Sequence, residues 1–439
     1  MNGFSTPEPV DLAEDRQYLV AVASYGDRRG TLIVSQPIYS ANGIKLLDKG
    51  ARIDSRILDR LFGNPLAVAL DQCIESEDAV RHMDLLARAR ELVAASPLLA
   101  HLDANLTSSS RVWRALETSP LPPAIAIRLT VIRETAPILY EHSLRCAFIA
   151  LAVGAMARFS EDELRHLATA ALLHDVGMMH ADHAAYEGGG PLDVAARRRL
   201  HTHPLTGQLI AQHEPQLGNG IAMAISEHHE RMDGTGYPRQ LRGESISKLG
   251  RVLMLADVAT GIVERQADQA ALRLSLLLRF NHRCFDDALV TGLLAALPHT
   301  VQGENAAAAE IRECGRTIAL IDSWIRISDE TNRQPPGAIG EFIGTRMDRL
   351  RRWLVEAGLG DPQAAVLAAK EDAAVCAEMT ALARETIWHL RQVAYDASEY
   401  LAQQERVAGA TVASAAITQW IAAVLSMNPE APDSTATPR

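Results

Sequence analysis

The chain opens with short runs of apolar and polar residues and then changes to a helical period. Between about residues 17 and 75 the pattern is β-like. Residues 31–34 and 44–47 predict two short strands, and residues 41–43 predict the turn before the second one. Asp54 is expected to be the N-cap of a short helix that follows. This stretch therefore predicts a small α+β module.

Apolar residues at helical spacing dominate from about residue 77 onward and predict a mainly α-helical chain. The predicted helical segments are 77–95, 125–158, 161–174, 192–213, 217–229 and 246–264. A later amphipathic helix is expected over about 362–405, with an apolar stripe of Met379, Leu382, Leu390, Val393 and Leu401. The stripe predicts packing within a helical bundle, with dimerisation as the alternative.

These changes of pattern predict six regions along the chain. They are a disordered tail (1–16), the α+β module (17–76), a helical connector (77–134), a helical bundle domain (135–300), a C-terminal helical region (304–425) and a second disordered tail (428–439).

Composition narrows the class of protein. Of 439 residues, 48% are hydrophobic but only 5% are aromatic, so the core must consist of aliphatic residues, which favour helices. A net charge of −11 argues against a nucleic-acid polymer as partner. The five cysteines form no C-x-x-C pair, which fits a reducing cytoplasm. The longest apolar run, residues 146–157, is too short to predict a membrane span, and the N-terminus does not resemble a signal peptide.

Histidine position carries the strongest chemical signal, because ten of the 15 histidines fall between His142 and His229. The informative positions are His142, the pair His174-Asp175, His203, the pair His228-His229, and Asp257. Successive groups are 32, 28, 25 and 28 residues apart. Each step is about one helix plus a loop, so an antiparallel helical bundle would bring all the groups to one end of its core.

The residue types in these groups predict a metal site. His174-Asp175 follows the apolar run 168–173, and a buried His beside a buried Asp is costly unless something pairs with both. Imidazole and carboxylate are ligands for iron, manganese, zinc or nickel. Asp175 could bridge two metals ~3.5–4 Å apart, a geometry that serves attack on phosphorus. The remaining histidines of the stretch are expected on the surface: His166, His180, His183, His201 and His213.

A second motif, residues 228–238, reads HHERMDGTGYP. Its glycines permit a close backbone approach to a ligand. Tyr237 offers a face for stacking a base, Pro238 stiffens it, and Arg231 could pair with a phosphate or a guanine edge. On its own, the glycine-rich part is equally a pattern for a tight turn.

In these two motifs together, the sequence resembles the HD-GYP family of metal-dependent phosphohydrolases. The resemblance rests on residues 171–177, 203–207, 228–238 and 250–257, and it extends over about 135–300. It implies an all-helical HD bundle and hydrolysis of cyclic di-GMP to the linear dinucleotide pGpG and then to GMP. It implies two divalent metals, iron or manganese, and a metal-bridging hydroxide as nucleophile.

The resemblance also assigns roles to residues. His142, His174, Asp175 and Asp257 would hold one metal, and Asp175, His203, His228 and His229 would hold the other. Asp175 and His174 are the implied catalytic residues. The implied substrate contacts are Arg231, Asp233, Gly234, Gly236, Tyr237, Pro238 and Arg251.

The chain departs from the family pattern at three places. Met178 stands where the family usually has Lys, which removes a cation near the scissile phosphate. Ile138 stands where members with three metals have Glu, so two metals are expected. Residues 188–191, GGGP, replace the usual Lys-Pro-Gly segment. Arg197, Arg198 or Arg199 could replace the lost cation, although a solvated helix face is the simpler role for them.

Three functions are therefore compatible with the sequence. The first is a cyclic di-GMP phosphodiesterase. The second is an impaired HD-GYP module that acts as a cyclic di-GMP sensor or as a docking scaffold, because of Met178. The third is an HD phosphohydrolase for another nucleotide, which the intact Gly-Tyr-Pro motif disfavours. The partners implied are a cyclic dinucleotide, a diguanylate cyclase or other signalling protein, and a second copy of the chain.

Overall fold

The computed structural model describes residues 16–180, 194–265, 270–298, 343–344, 346–347, 350, 386–387, 389–398, 400–401 and 415–426. The chain divides into two compact units. One contains residues 1–268 and 282–298, and the other contains residues 269–281 and 299–439. The fold is mainly α-helical, as the sequence predicts, and within the described ranges strands occur in the N-terminal module alone.

The N-terminal module consists of helices and short strands. Its elements are α1 (Arg16–Arg29), β1 (Leu32–Val34), β2 (Ile38–Tyr39), β3 (Lys45–Leu47), α2 (Leu58–Leu61) and β4 (Ile74–Ser76), with 3₁₀ helices at Ser55–Ile57 and Leu70–Gln72. β1 pairs with β4 in antiparallel register, and β2 pairs with β3. The side chain of Asp54 accepts a hydrogen bond from the backbone N of Arg56, which caps the turn that the sequence predicts there.

One part of this module differs from the sequence prediction. Residues 17–29 had a β-like pattern, but they belong to helix α1. Leu19, Val22 and Ala23 are buried, and this i, i+3, i+4 spacing places them on one helical face. Tertiary packing, which for α1 includes the helix Pro123–Thr135 and the 3₁₀ helix Val176–His180, outweighs the local propensity of the segment.

Helices build the rest of the first unit. They are α3 (His82–Ala95), α4 (Pro97–Asn105), α5 (Ser109–Glu117), α6 (Pro123–Thr135), α7 (Pro137–Met156), α8 (Glu161–Leu173), α9 (Val194–Gln212), α10 (Gly218–Glu227), α11 (Lys248–Arg265) and α13 (Asp287–Ala296). A 3₁₀ helix, Val176–His180, follows α8. Ser160 and Glu163 form a capping box that starts α8, and Asp286 caps α13.

The segment predicted as one helix over 125–158 is two helices, α6 and α7. The break falls at Ala136, because the residue before a proline is pushed out of the helical region and Pro137 has no N–H to donate. Pro137 then occupies the first turn of α7, where its missing N–H costs nothing.

Helix α7 is the core helix of the first unit. It is long and apolar enough to cross a membrane by length and composition, but 78% of its apolar window is buried inside the structure. A helix with so long an apolar stretch is expected at the centre of a bundle. It packs against α3, α6, α8 and α11.

The second unit is helical where the structure describes it, in α12 (Ala270–Phe280), at 389–398 and at Ala415–Leu425. Its buried apolar cluster includes Leu390, Val393 and Leu401 from the predicted stripe. Met379 and Leu382 lie outside the described residues.

Candidate metal centre

Five structural elements bring the seven predicted ligand residues together. His142 lies on α7, His174 ends α8 and Asp175 follows it. His203 lies on α9, His228-His229 follow α10, and Asp257 lies on α11. They form two groups in which the ligand atoms lie within 4.8 Å of one another: His142, His174 and Asp257, and Asp175, His203, His228 and His229.

The carboxylate of Asp175 lies between the two groups. Its Oδ2 is 3.2 Å from Nε2 of His174 and 3.7 Å from Nε2 of His142. Its Oδ1 is 3.1 Å from Nε2 of His203 and 3.5 Å from Nε2 of His228. Each oxygen therefore faces one group, which is the arrangement that a bridging carboxylate requires.

Asp257 spans the groups in a similar way, which the sequence did not indicate. Its Oδ1 lies 3.3 Å from Nε2 of His142 and 3.8 Å from Nε2 of His174. Its Oδ2 lies 3.7 Å from Nδ1 of His229 in the other group. Two carboxylates thus connect the two sets of imidazoles.

Hydrogen bonds on the outer side of three imidazoles fix their orientation. Nδ1 of His174 donates to the carbonyl of Ala171 at 2.8 Å, and Nδ1 of His228 donates to that of Ile225 at 2.6 Å. Nδ1 of His142 donates to Oε2 of Glu264 at 2.9 Å. When such a ring is neutral, its Nε2 carries the lone pair that faces the centre, as is typical of metal-bound histidine.

The electrostatic environment differs between the two histidine groups. Burial opposes the protonation of His142 and of His174, but Asp257 and Glu264 beside His142 and Asp175 beside His174 outweigh it and raise both pKa values, so a metal bound there would displace a proton. Burial lowers the pKa of His228 and that of His229, so both rings are neutral. Burial opposes the ionisation of Asp175, but His174, His203 and His228 outweigh it and lower the pKa of the carboxyl group. Metal binding requires neutral imidazole and ionised carboxylate.

The donor set fits divalent metals. Nε2 of His203 and Nε2 of His228 lie 3.1 Å apart, and the latter atom has no proton to donate when Nδ1 holds it. Nε2 of His174 is buried without a hydrogen bond of normal geometry among the described residues. Imidazole nitrogens that converge in this way beside two carboxylates form a donor set that a divalent cation would satisfy.

The loop after α10 is shaped by a buried carboxylate. Glu230 is fully buried, and it accepts hydrogen bonds from the backbone N of Arg239 (2.7 Å) and of Leu241 (2.9 Å). Gly236 packs so closely that an added Cβ would lie 2.4 Å from backbone atoms of Glu230 and Arg231. This glycine is therefore needed for the fold of the loop itself.

Tyr237 lies against the second histidine group. Its backbone N donates to the carbonyl of His229 at 3.1 Å, and its bond to Pro238 is cis. The phenol ring stacks on His229, with centroids 4.7 Å apart, and on His201, with centroids 4.4 Å apart. His201 was predicted to point away from the site as a surface residue; it is exposed but stacks on this loop.

The other predicted substrate residues lie on or beside this loop and make contacts within the protein. Nη1 of Arg231 donates to the carbonyl of Glu230 at 2.7 Å, and Gly234 donates its N–H to the carbonyl of Arg231 at 2.8 Å. Oδ1 of Asp233 accepts from the N and Oγ1 of Thr235. Arg251 pairs with Asp286 at 3.0 Å.

Part of the chain is similar in sequence to known cyclic dinucleotide phosphodiesterases. The HD domain family model matches residues 129–278. The 3'3'-cGAMP-specific phosphodiesterase 3 of Vibrio cholerae is 29% identical over 168 residues, which are 38% of this chain and 36% of that protein. The cyclic di-GMP phosphodiesterase of the same organism is 33% identical over 133 residues, or 28% of this chain and 27% of that protein. The cyclic di-GMP phosphodiesterase response regulator RpfG of Xanthomonas campestris is 29% identical over 155 residues, or 34% of this chain and 41% of that protein.

The family-model match over residues 129–278 and the cyclic dinucleotide phosphodiesterases among the relatives support the assignment of this part of the chain to the HD-GYP family. The motif residues of this family are the residues that the fold gathers at the two histidine groups and the adjoining loop. The chain spans between about a quarter and two fifths of the length of the three relatives described above.

Two departures from the HD-GYP pattern have a place in the structure. Met178 is 3% exposed within the 3₁₀ helix that follows Asp175. Ile138 is 66% exposed and lies one helical turn before His142. The side chains of Arg197, Arg198 and Arg199, and all of residues 188–191 and His183, lie outside the described residues.

Two features around the HD-GYP centre differ from, or add to, what the sequence predicts. His180, predicted to be on the surface, is 6% exposed. Glu264 holds the outer nitrogen of His142, and Nη1 of Arg145 lies 3.2 Å from the other carboxylate oxygen of Glu264. A signal for Glu264 was present, since it lies seven residues after Asp257 and thus on the same face of α11.

Replacement of Glu264 is expected to weaken metal binding. Glu264→Ala should lower metal affinity by roughly 10- to 100-fold, the usual cost of losing the partner of a metal-binding histidine. Glu264→Gln should fall between that variant and wild type, because the amide oxygen still accepts from Nδ1. Chelator competition gives the affinity, and Glu117→Gln, an exposed substitution on α5, is the control. Equal affinities in all four proteins would contradict this role.

Proposed function

We propose that the chain is a metal-dependent phosphodiesterase that hydrolyses cyclic di-GMP to pGpG and then to GMP. The observation that carries the proposal is the position of Asp175, with one carboxylate oxygen toward each histidine group. Single-metal structural sites have no use for a carboxylate shared in this way, whereas two-metal phosphodiester hydrolysis does.

We assign two divalent ions, iron or manganese, to the two groups. A third ion is not assigned, because Ile138 offers no ligand. When bound, such ions supply Lewis acidity at a phosphoryl oxygen and lower the pKa of water. Imidazole and carboxylate accept several first-row metals, and the absence of thiolate favours these hydrolytic and redox-active ions over structural zinc.

The side chains of the chain itself orient the ligands and shield the centre from water. Asp175 is the central catalytic residue, and His174 orients it, since the His174 ring is fully buried and fixed by Ala171. The buried imidazoles exclude bulk water from the inner side of the centre, which strengthens every electrostatic interaction there.

The loop 231–238 is the proposed substrate surface. Arg231 uses one N–H on the carbonyl of Glu230 and lies over the ring of Phe285, so its other donors can meet a phosphate. Two imidazoles already stack on Tyr237, so we assign it to lining the phosphate side of the site rather than to stacking a base.

The further partners are proposals of the same kind. A cyclic dinucleotide is the ligand, and a signalling protein such as a diguanylate cyclase would supply it. A cytoplasmic location and a homodimer built on the C-terminal helices would suit this role. A nucleic-acid polymer does not suit a chain with a net charge of −11.

A second substrate is supported by a specific similarity. The relative that is 29% identical over 168 residues is named as specific for 3'3'-cGAMP, which differs from cyclic di-GMP in one base. The metal centre would perform the same hydrolysis on either cyclic dinucleotide, so contacts of the protein with the bases would determine which substrate is preferred.

The test is a hydrolysis assay with both substrates. Chain purified without oxygen and loaded with iron or manganese is expected to convert cyclic di-GMP to pGpG, detected by chromatography, and to stop when a chelator is added. Faster turnover of 3'3'-cGAMP than of cyclic di-GMP would overturn the assigned substrate, but the assignment as a phosphodiesterase would stand. If metal-loaded protein binds cyclic di-GMP tightly but forms no product, the proposed enzymatic activity is wrong and the protein acts as a sensor.

A further inference from the structure

A second buried cluster of polar side chains lies outside the two metal groups. It consists of Tyr18, Asp71, Arg128 and His180, which are 4%, 6%, 5% and 6% exposed. No step of the proposed hydrolysis uses any of them. A buried arginine and aspartate are costly to desolvate, so their placement here requires compensating contacts.

The contacts form a network around the guanidinium group of Arg128. Nη1 of Arg128 donates to Nε2 of His180 at 2.8 Å, and Nη2 donates to Oδ2 of Asp71. The hydroxyl of Tyr18 donates to Oδ1 of Asp71, and its ring stacks on His180 with centroids 5.3 Å apart. The guanidinium carbon lies 4.0 Å from the centroid of the Tyr18 ring. Burial lowers the pKa of His180 to about 3, which keeps Nε2 an acceptor at neutral pH.

The network joins the N-terminal module to the segment that carries Asp175. Tyr18 lies on α1, and Asp71 lies in the 3₁₀ helix Leu70–Gln72. Arg128 lies on α6. His180 is the last residue of the 3₁₀ helix Val176–His180, which begins directly after Asp175.

The same 3₁₀ helix also contacts the second histidine group. A Cβ on Gly177 would lie 2.1 Å from the carbonyl oxygen of His203, so the two backbones touch. The N–H of Met178 donates to the carbonyl of Asp175 at 2.8 Å. A shift of His180 would therefore move Gly177 against His203 and change the separation of Asp175 from its partners.

We propose that Arg128 and Asp71 are positioning residues of the metal centre, which act through His180 on the 3₁₀ helix between Asp175 and the backbone of His203. The expected effect on turnover rests on the proposed function. The expected effects on metal affinity and on the 3₁₀ helix do not depend on which substrate is hydrolysed. The N-terminal module is then a support of the metal centre, and a ligand or partner that displaced the module would weaken metal binding.

The test compares three variants of the network with a control from the same module. Asp71→Asn removes the charge, Arg128→Lys keeps the charge but cannot reach two partners at once, and Tyr18→Phe removes one hydroxyl. Asp48→Asn is the control, because the Asp48 side chain is 73% exposed in an ion pair with Lys45. Circular dichroism first establishes that each protein is folded.

Metal affinity and local exchange are the deciding measurements. Asp71→Asn is expected to lower metal affinity about tenfold or more, on the scale of lost outer contacts of a metal site. It should also speed amide hydrogen exchange over residues 176–180 in metal-free protein. KM should stay within about twofold while kcat falls, because the substrate surface is untouched. Arg128→Lys should show part of the effect, and Asp48→Asn none.

Outcomes that contradict the inference are separate from those that contradict the proposed function. A lowered melting temperature with wild-type metal affinity and wild-type exchange over 176–180 would make the network merely structural. If Asp71→Asn does not fold, the same comparison is made with Tyr18→Phe. Absence of hydrolysis by metal-loaded wild type would overturn the proposed function, while the exchange measurement still decides the role of the network.

Discussion

Asp175→Ala is expected to abolish hydrolysis of cyclic di-GMP and to release metal from both histidine groups. The side chain faces both groups at once, with Oδ2 3.2 Å from His174 and Oδ1 3.1 Å from His203. Its loss would remove a ligand from each ion, and it would also remove the negative charge that screens the two cations from each other. Lewis-acid stabilisation contributes several kcal/mol, so kcat should fall by roughly 1,000-fold or more.

Two further variants make this result specific. Asp175→Asn keeps the size and one acceptor oxygen but loses the charge, and it should retain less metal than wild type. Asp162→Ala, on the same helix-forming stretch with a side chain 81% exposed, should leave both metal content and turnover unchanged. Asp175→Ala protein that keeps two ions and measurable turnover would contradict the bridging role.

Gly177→Ala is expected to have the second largest effect. The new Cβ would lie 2.1 Å from the oxygen and 2.9 Å from the carbon of the His203 carbonyl. Backbone atoms cannot rotate away as a side chain can, so α9 and the 3₁₀ helix must separate. A displacement of about 1 Å at a catalytic group can cost on the order of 100-fold in rate, and overpacking costs about 1–3 kcal/mol of stability.

The control for this variant is a glycine with space around it. Gly220 lies in α10, and a Cβ there would meet nothing within 4 Å. Gly220→Ala should stabilise the protein slightly, by about 0.5–1 kcal/mol, through helix propensity. Steady-state kinetics and thermal melts compare the two variants. Equal activity in both would show that contact between Gly177 and His203 does not matter to the site.

The helical part of the fold was predictable because its apolar residues repeat with a period that only a helix satisfies. The N-terminal module was harder. β1 and β3 were expected, but β2 and β4 were not, because strands of two or three residues carry little pattern of their own. Helix α1 was missed because tertiary packing, rather than propensity, determines its conformation.

The seven residues of the candidate centre were predictable for a different reason. Spacing of about one helix plus a loop predicts that His142, Asp175 and His203 meet, whatever the details of packing. Contacts between side chains do not follow from spacing. Helix rotation and the path of the loops decide three features that spacing did not predict. They are the contact of Asp257 with His229, the stack of His201 on Tyr237 and the burial of His180.

The most direct test of the central claim is a metal titration of turnover. Metal-free chain receives zero to three equivalents of iron or manganese without oxygen, and linear product from cyclic di-GMP is measured at each step. The shared carboxylate of Asp175 predicts little product below one equivalent, a rise toward two and no further rise at three. Full turnover at one equivalent, or no product with two ions bound, would contradict the account.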